Sequence, residues 1–161
     1  MDIPEAIDFQ EQPLDWAVAN SCIVRASRHY GIHPLVVKAV MLTEGGRPGT
    51  VMKNTNDTYD LGPMQVNSSN IEFLRKTFPS ITFERLAKDA CANIIVGTYF
   101  LKTKIDGADS LWSGVGNYHS KTPRHHKKYM SRLLPIYRDL AEESRRKIKA
   151  LKSRNRVYTI R

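Results

Sequence analysis

The sequence predicts a mostly α-helical single domain interrupted by one long loop. Three observations carry that expectation. Apolar residues recur at helical spacing in segment after segment, whereas the strict alternation of half-buried strands is nearly absent. Those segments open on residues that start helices: Asp15, Asp89 and Ser110 as caps, Pro34 and Pro123 at first helical positions. The chain has 161 residues, a length that suits one domain able to bury its own core.

Taken in order, Asp15 caps a first helix carrying Trp16, Ala19, Ile23 and Ala26 on one face, and Gly31 stops it. His33-Pro34 opens a second, with Leu35, Val36, Ala39 and Val40 facing inward; it ends near Thr43-Glu44 at Gly45-Gly46. Residues 46–63 are rich in Gly, Pro, Asn, Asp and Thr, which favour turns, and form the long loop, with room for a short β-hairpin. A helix is expected to resume around Gln65 and run through Ile71 and Leu74. Thr82 caps a short turn through Leu86, and Asp89 caps a long helix with Ala90, Asn93, Ile94, Gly97 and Leu101 on one face. Ser110 starts a short helix through Trp112 and Val115. Thr122-Pro123 begins the last, marked by Tyr129, Leu133, Ile136, Tyr137 and Leu140, with Pro135 expected to kink or restart it. The expected organisation is an N-terminal extension at 1–15, one folded domain at 16–140 and a basic helical tail at 141–161.

Composition narrows the function classes. Hydrophobic residues make up 41% and charged residues 25%, as in a globular protein, and no apolar run approaches the ~20 residues of a membrane span. The start, Met1-Asp-Ile-Pro-Glu, lacks the basic and apolar regions of a signal peptide, so the protein is either cytoplasmic or begins after a removed signal. Of the net charge of +9, residues 141–161 supply +6, from eight Lys/Arg against Glu142 and Glu143, leaving +3 for the other 140. Basicity is thus a property of the tail, and specific nucleic-acid binding is not expected of the domain. Cys22 and Cys91, 69 apart (91 − 22), form no zinc or redox motif. Two buried thiols and one disulfide are both open.

Several residues have chemistry to offer. Glu44 ends an apolar helix beside two glycines. The negative end of a helix dipole and partial burial both raise a carboxyl pKa, as a general acid near neutral pH requires. The ordinary alternative is a solvated helix-end glutamate. Asp60, 16 residues on, stands before Leu61-Gly62-Pro63-Met64-Gln65. Two carboxylates across a cleft can cleave a glycoside, though a turn aspartate is the ordinary use. A turn at Gly62-Pro63 would hold Gln65, whose amide both donates and accepts, near that cleft. Tyr118-His119-Ser120 joins two helices, and Tyr118 offers a stacking face and a hydroxyl suited to sugars. His119, His125 and His126 lack metal-ligand spacing with a carboxylate, so no metal is expected; neither a phosphate-binding loop nor a nucleophile elbow is present.

Together these residues, in their order, resemble the soluble lytic transglycosylase (SLT) family, with its goose-type-lysozyme-like fold, over residues 16–140. The resemblance rests on Val40-Met41-Leu42-Thr43-Glu44-Gly45, Gly62-Pro63-Met64-Gln65-Val66-Asn67, Cys91-Ala92-Asn93-Ile94 with Gly97, and Trp112 with Gly116-Asn117-Tyr118-His119-Ser120. Two positions depart from the family pattern: Gly45 replaces a serine, and Pro63 replaces a leucine and removes a backbone N–H. The nearest branch is that of the small specialised transglycosylases of secretion, conjugation and pilus machines.

The resemblance implies a mostly α, lysozyme-like catalytic domain that cleaves the MurNAc-β-1,4-GlcNAc bond of peptidoglycan without metal or cofactor. It makes Glu44 the acid/base and Asp60 a second carboxylate. It puts Gln65, Met64, Asn93, Tyr118 and Tyr137 at the substrate, with Tyr137 hydrogen-bonded near Glu44. It also implies a Cys22–Cys91 disulfide and hence a periplasmic, monomeric protein whose signal peptide lies outside this sequence. Two other readings stand beside it: a hydrolytic lysozyme using Glu44 and Asp60, and a non-enzymatic module binding peptidoglycan or polyanions.

Overall fold

The computed structural model describes residues 8–159, with side chains to residue 156. Its helices begin where the caps predict. Helix α1 (Trp16–Tyr30) starts on Asp15, whose carboxylate accepts from the N–H groups of Ala17 and Val18, and ends at Gly31 in the left-handed region (φ 67°). Helix α2 (Pro34–Glu44) is capped by the His33 ring and closes at Gly45, again left-handed (φ 72°). Helices α4 (Phe83–Lys88), α5 (Ala90–Asp106) and α6 (Leu111–His119) are capped by Thr82, Asp89 and Ser110. Each cap satisfies an orphan N–H of a first turn, worth about 1 kcal/mol.

Helix α5 is the centre of the domain and packs against α1 and α6, while α2 packs against α7 (Pro123–Thr159). Its Asn93, Ile94, Val96, Gly97, Thr98 and Leu101 are buried. The core closes around them with Ile23, Val36, Val40, Leu61, Leu86 and Leu133. A Cys22–Cys91 disulfide ties α1 to α5 across a sequence separation of 69. Arg25 donates from its guanidinium to Cys91 Sγ at 3.1 Å.

The long loop is partly a sheet. Strands β1 (Val51–Lys53), β2 (Tyr59–Leu61) and β3 (Val66–Asn67) pair antiparallel in that order, with Met52 opposite Asp60 and Asp60 opposite Asn67. With strands of two or three residues, alternation is too short to register as a pattern. Two expectations are corrected here. The helix expected from Gln65 begins only at Ile71 (α3, Ile71–Arg75). Gln65 takes a left-handed backbone (φ 51°), and Asn67 instead caps a 3-10 turn over Ser68–Asn70. Pro135 does not restart the last helix, which runs unbroken through it to Thr159. Ser131 and Pro135 lie on its exposed face, so the carbonyl that loses its partner meets water. Among the described residues no helix is long and apolar enough to cross a membrane.

Candidate active site

Glu44 is delivered by the last residue of α2, and what holds it there is backbone contact. A Cβ on Gly46 would meet Gly62 O at 2.0 Å, so only glycine lets the end of α2 lie against the Gly62 turn. Gly62 is left-handed (φ 66°), and a Cβ there would meet Asn93 Nδ2 at 2.4 Å. Asn93, fully buried on α5, donates to Leu61 O (2.7 Å) and Leu86 O (2.8 Å) and accepts from Met64 N (2.8 Å). One amide thus fastens the sheet's last turn to two helices, satisfying three buried backbone groups.

Above this floor opens a cleft of about 430 Å³. A sheet wall contributes Asn56, Asp60, Gln65, Asn67, Ser69 and Asn70, and a helical wall contributes Phe100, Lys104, Asn117, Tyr118, His119 and Lys121, with Glu44 between. Glu44 keeps partial exposure to the cleft, but its Oε1 is buried without a hydrogen-bond partner. Burial pushes its pKa up to about 7, and the nearby Asp60 charge adds to the rise. The Tyr129 hydroxyl and Arg132 pull the other way. Tyr129 faces the carboxyl without reaching full bonding geometry, since its own hydroxyl also lacks a partner. A carboxyl half-protonated near neutrality and partly open to a cleft can give a proton to a bound oxygen and take one back.

Asp60 sits on β2 at the opposite wall and is held differently. Its Oδ1 accepts from Asn67 Nδ2 at 2.8 Å and its Oδ2 from Asn54 Nδ2 at 3.1 Å. Thr58 ties the two amides together, accepting from Asn54 (3.2 Å) and Asn67 (3.0 Å). Two carboxyls in one cleft therefore have unlike surroundings, one desolvated and one hydrogen-bonded by amides, a contrast that suits an acid and a charge stabiliser.

Of the residues singled out from sequence, Glu44, Asp60, Gln65 and Tyr118 line the cleft. Gln65 donates from Nε2 to Gly62 O at 2.9 Å. Tyr118 presents its ring and donates its hydroxyl to Met64 O at 2.7 Å. Met64 and Asn93 do not reach the cleft: both are fully buried, Met64 against Gly97, and they support the floor. Tyr137 is also elsewhere, edge-on to Trp112 with ring centroids 4.8 Å apart. The tyrosine at Glu44 is Tyr129, two turns earlier on α7. Its ring stacks on His119 at 4.7 Å, the planes 4° apart. Partial desolvation, with Arg132 and His125, lowers the His119 pKa against an opposing effect of Asp60, which favours a neutral ring. Tyr129 and Tyr137 share the helical seam, so the periodicity alone does not choose between them; the crossing of α7 over α2 does.

A family model described as the transglycosylase SLT domain matches residues 21–132. The invasion protein IagB of Salmonella typhi is 30% identical over 134 residues, covering 80% of this chain and 81% of that protein. IagB of Salmonella typhimurium strain LT2 is 29% identical over 142 residues, covering 83% and 86%. A peptidoglycan-binding-like protein of Escherichia coli O157:H7 is 25% identical over 139 residues, covering 80% and 83%.

Proposed function

Because the chain belongs to the transglycosylase SLT family, with a mostly α, lysozyme-like domain, we propose that it is a peptidoglycan lytic transglycosylase that uses Glu44 as its acid and base. The observation that carries the reading is the Glu44 carboxyl, desolvated to a pKa of about 7 at a cleft with one oxygen uncommitted.

In the proposed reaction Glu44 enters protonated and gives its proton to the glycosidic oxygen between MurNAc and GlcNAc. The bond from the MurNAc anomeric carbon breaks, and its electron pair leaves with that oxygen. The positive charge on the sugar ring is met by the N-acetyl oxygen and by the Asp60 carboxylate, which Asn54 and Asn67 hold in place. The Glu44 carboxylate then takes the proton of the MurNAc 6-hydroxyl. Its oxygen closes on the anomeric carbon, leaving a 1,6-anhydro end and Glu44 protonated again. Gln65 and Tyr118 hold the sugar from the two walls.

Mass spectrometry of muropeptides released from purified peptidoglycan tests the reading. Products lighter by one water than hydrolytic muropeptides are expected, and Glu44→Gln should produce none while still binding. Full activity in that variant would sink the mechanism. The tethered Asp60 carboxylate favours one second reading, lysozyme-type hydrolysis, in which ordinary reducing ends would appear and Asp60 would become essential. The disulfide and the wall-cutting chemistry support a periplasmic site of action. The likeness to invasion proteins supports local opening of the wall for a secretion, conjugation or pilus machine.

A further inference from the structure

The two walls of the cleft differ in charge. The sheet wall carries Asp60, while the helical wall carries Lys104 from α5 and Lys121 from the connection between α6 and α7. Among the described residues neither lysine makes a salt bridge, although the neighbouring Lys102 pairs with Asp106 one turn along the same helix. Lys104 is half-buried, with its ammonium 4.8 Å from the centre of the Phe100 ring. Half-buried Lys104 and exposed Lys121 line one cleft without a salt bridge and repel each other, and a bound anion would relieve both that repulsion and the desolvation of Lys104. Burial, then the Lys121 charge, pushes the Lys104 pKa down, in keeping with an ammonium that lacks an anionic neighbour.

We propose that Lys104 and Lys121 form a carboxylate-binding subsite for the acidic substituent of the muramic acid residue. The protein then selects acidic, muramoyl-bearing strands over neutral β-1,4-linked N-acetylglucosamine polymers. This deepens the transglycosylase reading and rests on it for the identity of the glycan. The carboxylate belongs either to the stem peptide or to the lactyl group left when the peptide is absent. Phe100 and Tyr118, edge to face with ring centroids 5.7 Å apart, provide apolar surface beside the pair on the same wall.

Binding to the full chain carrying Glu44→Gln tests the subsite separately from cleavage. Three soluble ligands are titrated calorimetrically: a peptide-bearing glycan oligomer, the same oligomer after enzymatic removal of its peptides, and a neutral chitin oligomer of equal length. Lys104→Met with Lys121→Met keeps the apolar stems but removes both charges. This double variant should bind the acidic oligomers about tenfold more weakly, with the neutral oligomer unmoved. Lys104→Arg with Lys121→Arg should restore most of the affinity, and added salt should narrow the difference between acidic and neutral ligands. A loss confined to the peptide-bearing oligomer assigns the stem carboxylates. A loss confined to the stripped oligomer assigns the lactyl carboxylate, and a loss toward both acidic oligomers shows that the pair accepts either carboxylate. Equal weakening toward all three ligands, or none toward any, overturns the subsite. Lysine-dependent binding with no cleavage by the wild-type chain keeps the subsite and removes only the transglycosylase reading. Cleavage with lysine-independent binding does the reverse.

Discussion

At the scale of single residues, Glu44 trades stability for chemistry. An unfolded chain would ionise it at the ordinary value of 4.5, whereas burial in the fold holds it protonated to about 7. Below 4.5 the carboxyl is neutral in both states and costs nothing. Between 4.5 and 7 only the unfolded state ionises, so stability falls as pH rises, and above about 7 the cost levels off near ~3 kcal/mol. Glu44→Gln should therefore raise the melting temperature by several degrees at pH 8, and the gain should vanish below pH 4.5. Thermal unfolding of both chains across that range measures it; a gain independent of pH would refute the desolvated acid. Cleavage by the wild-type chain should decline as pH rises through about 7, as the proton to be donated is lost.

At the scale of elements, the cleft depends on how closely the end of α2 meets the Gly62 turn. The two glycines after Glu44 are not equivalent. Gly45 has a left-handed backbone but open space around its Cβ position, so Gly45→Ala should cost only about 1 kcal/mol of backbone strain. Gly46→Ala would drive a methyl into Gly62 O and toward Gln65 Nε2, at 2.0 and 2.6 Å. We expect a loss of more than ~2 kcal/mol, because backbone must shift, and a loss of cleavage as Glu44 moves off the cleft. Denaturant titration and muropeptide release check the pair, and equal costs at the two positions would show that the contact does not hold the site. The α-helices were legible in the sequence because their caps and seams are local signals: Asp15, Thr82, Asp89 and Ser110 all cap as their chemistry requires. The sheet was legible only as room for a short hairpin in the long loop, because residues such as Asp60 and Asn67 pair through a ladder that two or three residues cannot announce.

At the scale of the molecule, the domain and its tail are energetically unequal. Tyr129, Met130 and Leu133 of α7 are buried in the core, whereas Ile148 and Leu151 are about half exposed, at 50% and 58%. From Glu142 to Arg156 most side chains are charged and solvated, with a Glu143–Lys147 pair at the surface. Removing residues 141–161 is expected to leave the melting temperature within a few degrees and glycan cleavage intact, while reducing salt-sensitive retention on polyanions such as heparin. A truncated chain that fails to fold would place the tail inside the cooperative unit. The Cys22–Cys91 bridge is the opposite case, joining α1 to the central α5, where a constraint on the unfolded chain is worth about 2–4 kcal/mol.

The sequence alone determined the fold class, the starts of the capped helices, and the placing of Glu44, Asp60, Gln65 and Tyr118 in one constellation, because caps, seams and ordered motifs are written in neighbouring residues. Tertiary structure alone decided which residues face the cleft and which support it. Met64 shares its motif with Gln65, which lines the cleft, yet Met64 and Asn93 are buried because the Gly62 turn needs its backbone groups bonded from below. Tyr129 rather than Tyr137 meets Glu44 because α7 crosses α2 there. The paired cations of the helical wall come from residues 104 and 121, on different elements. Their meeting depends on the packing of α5 against α6, which no local signal contains.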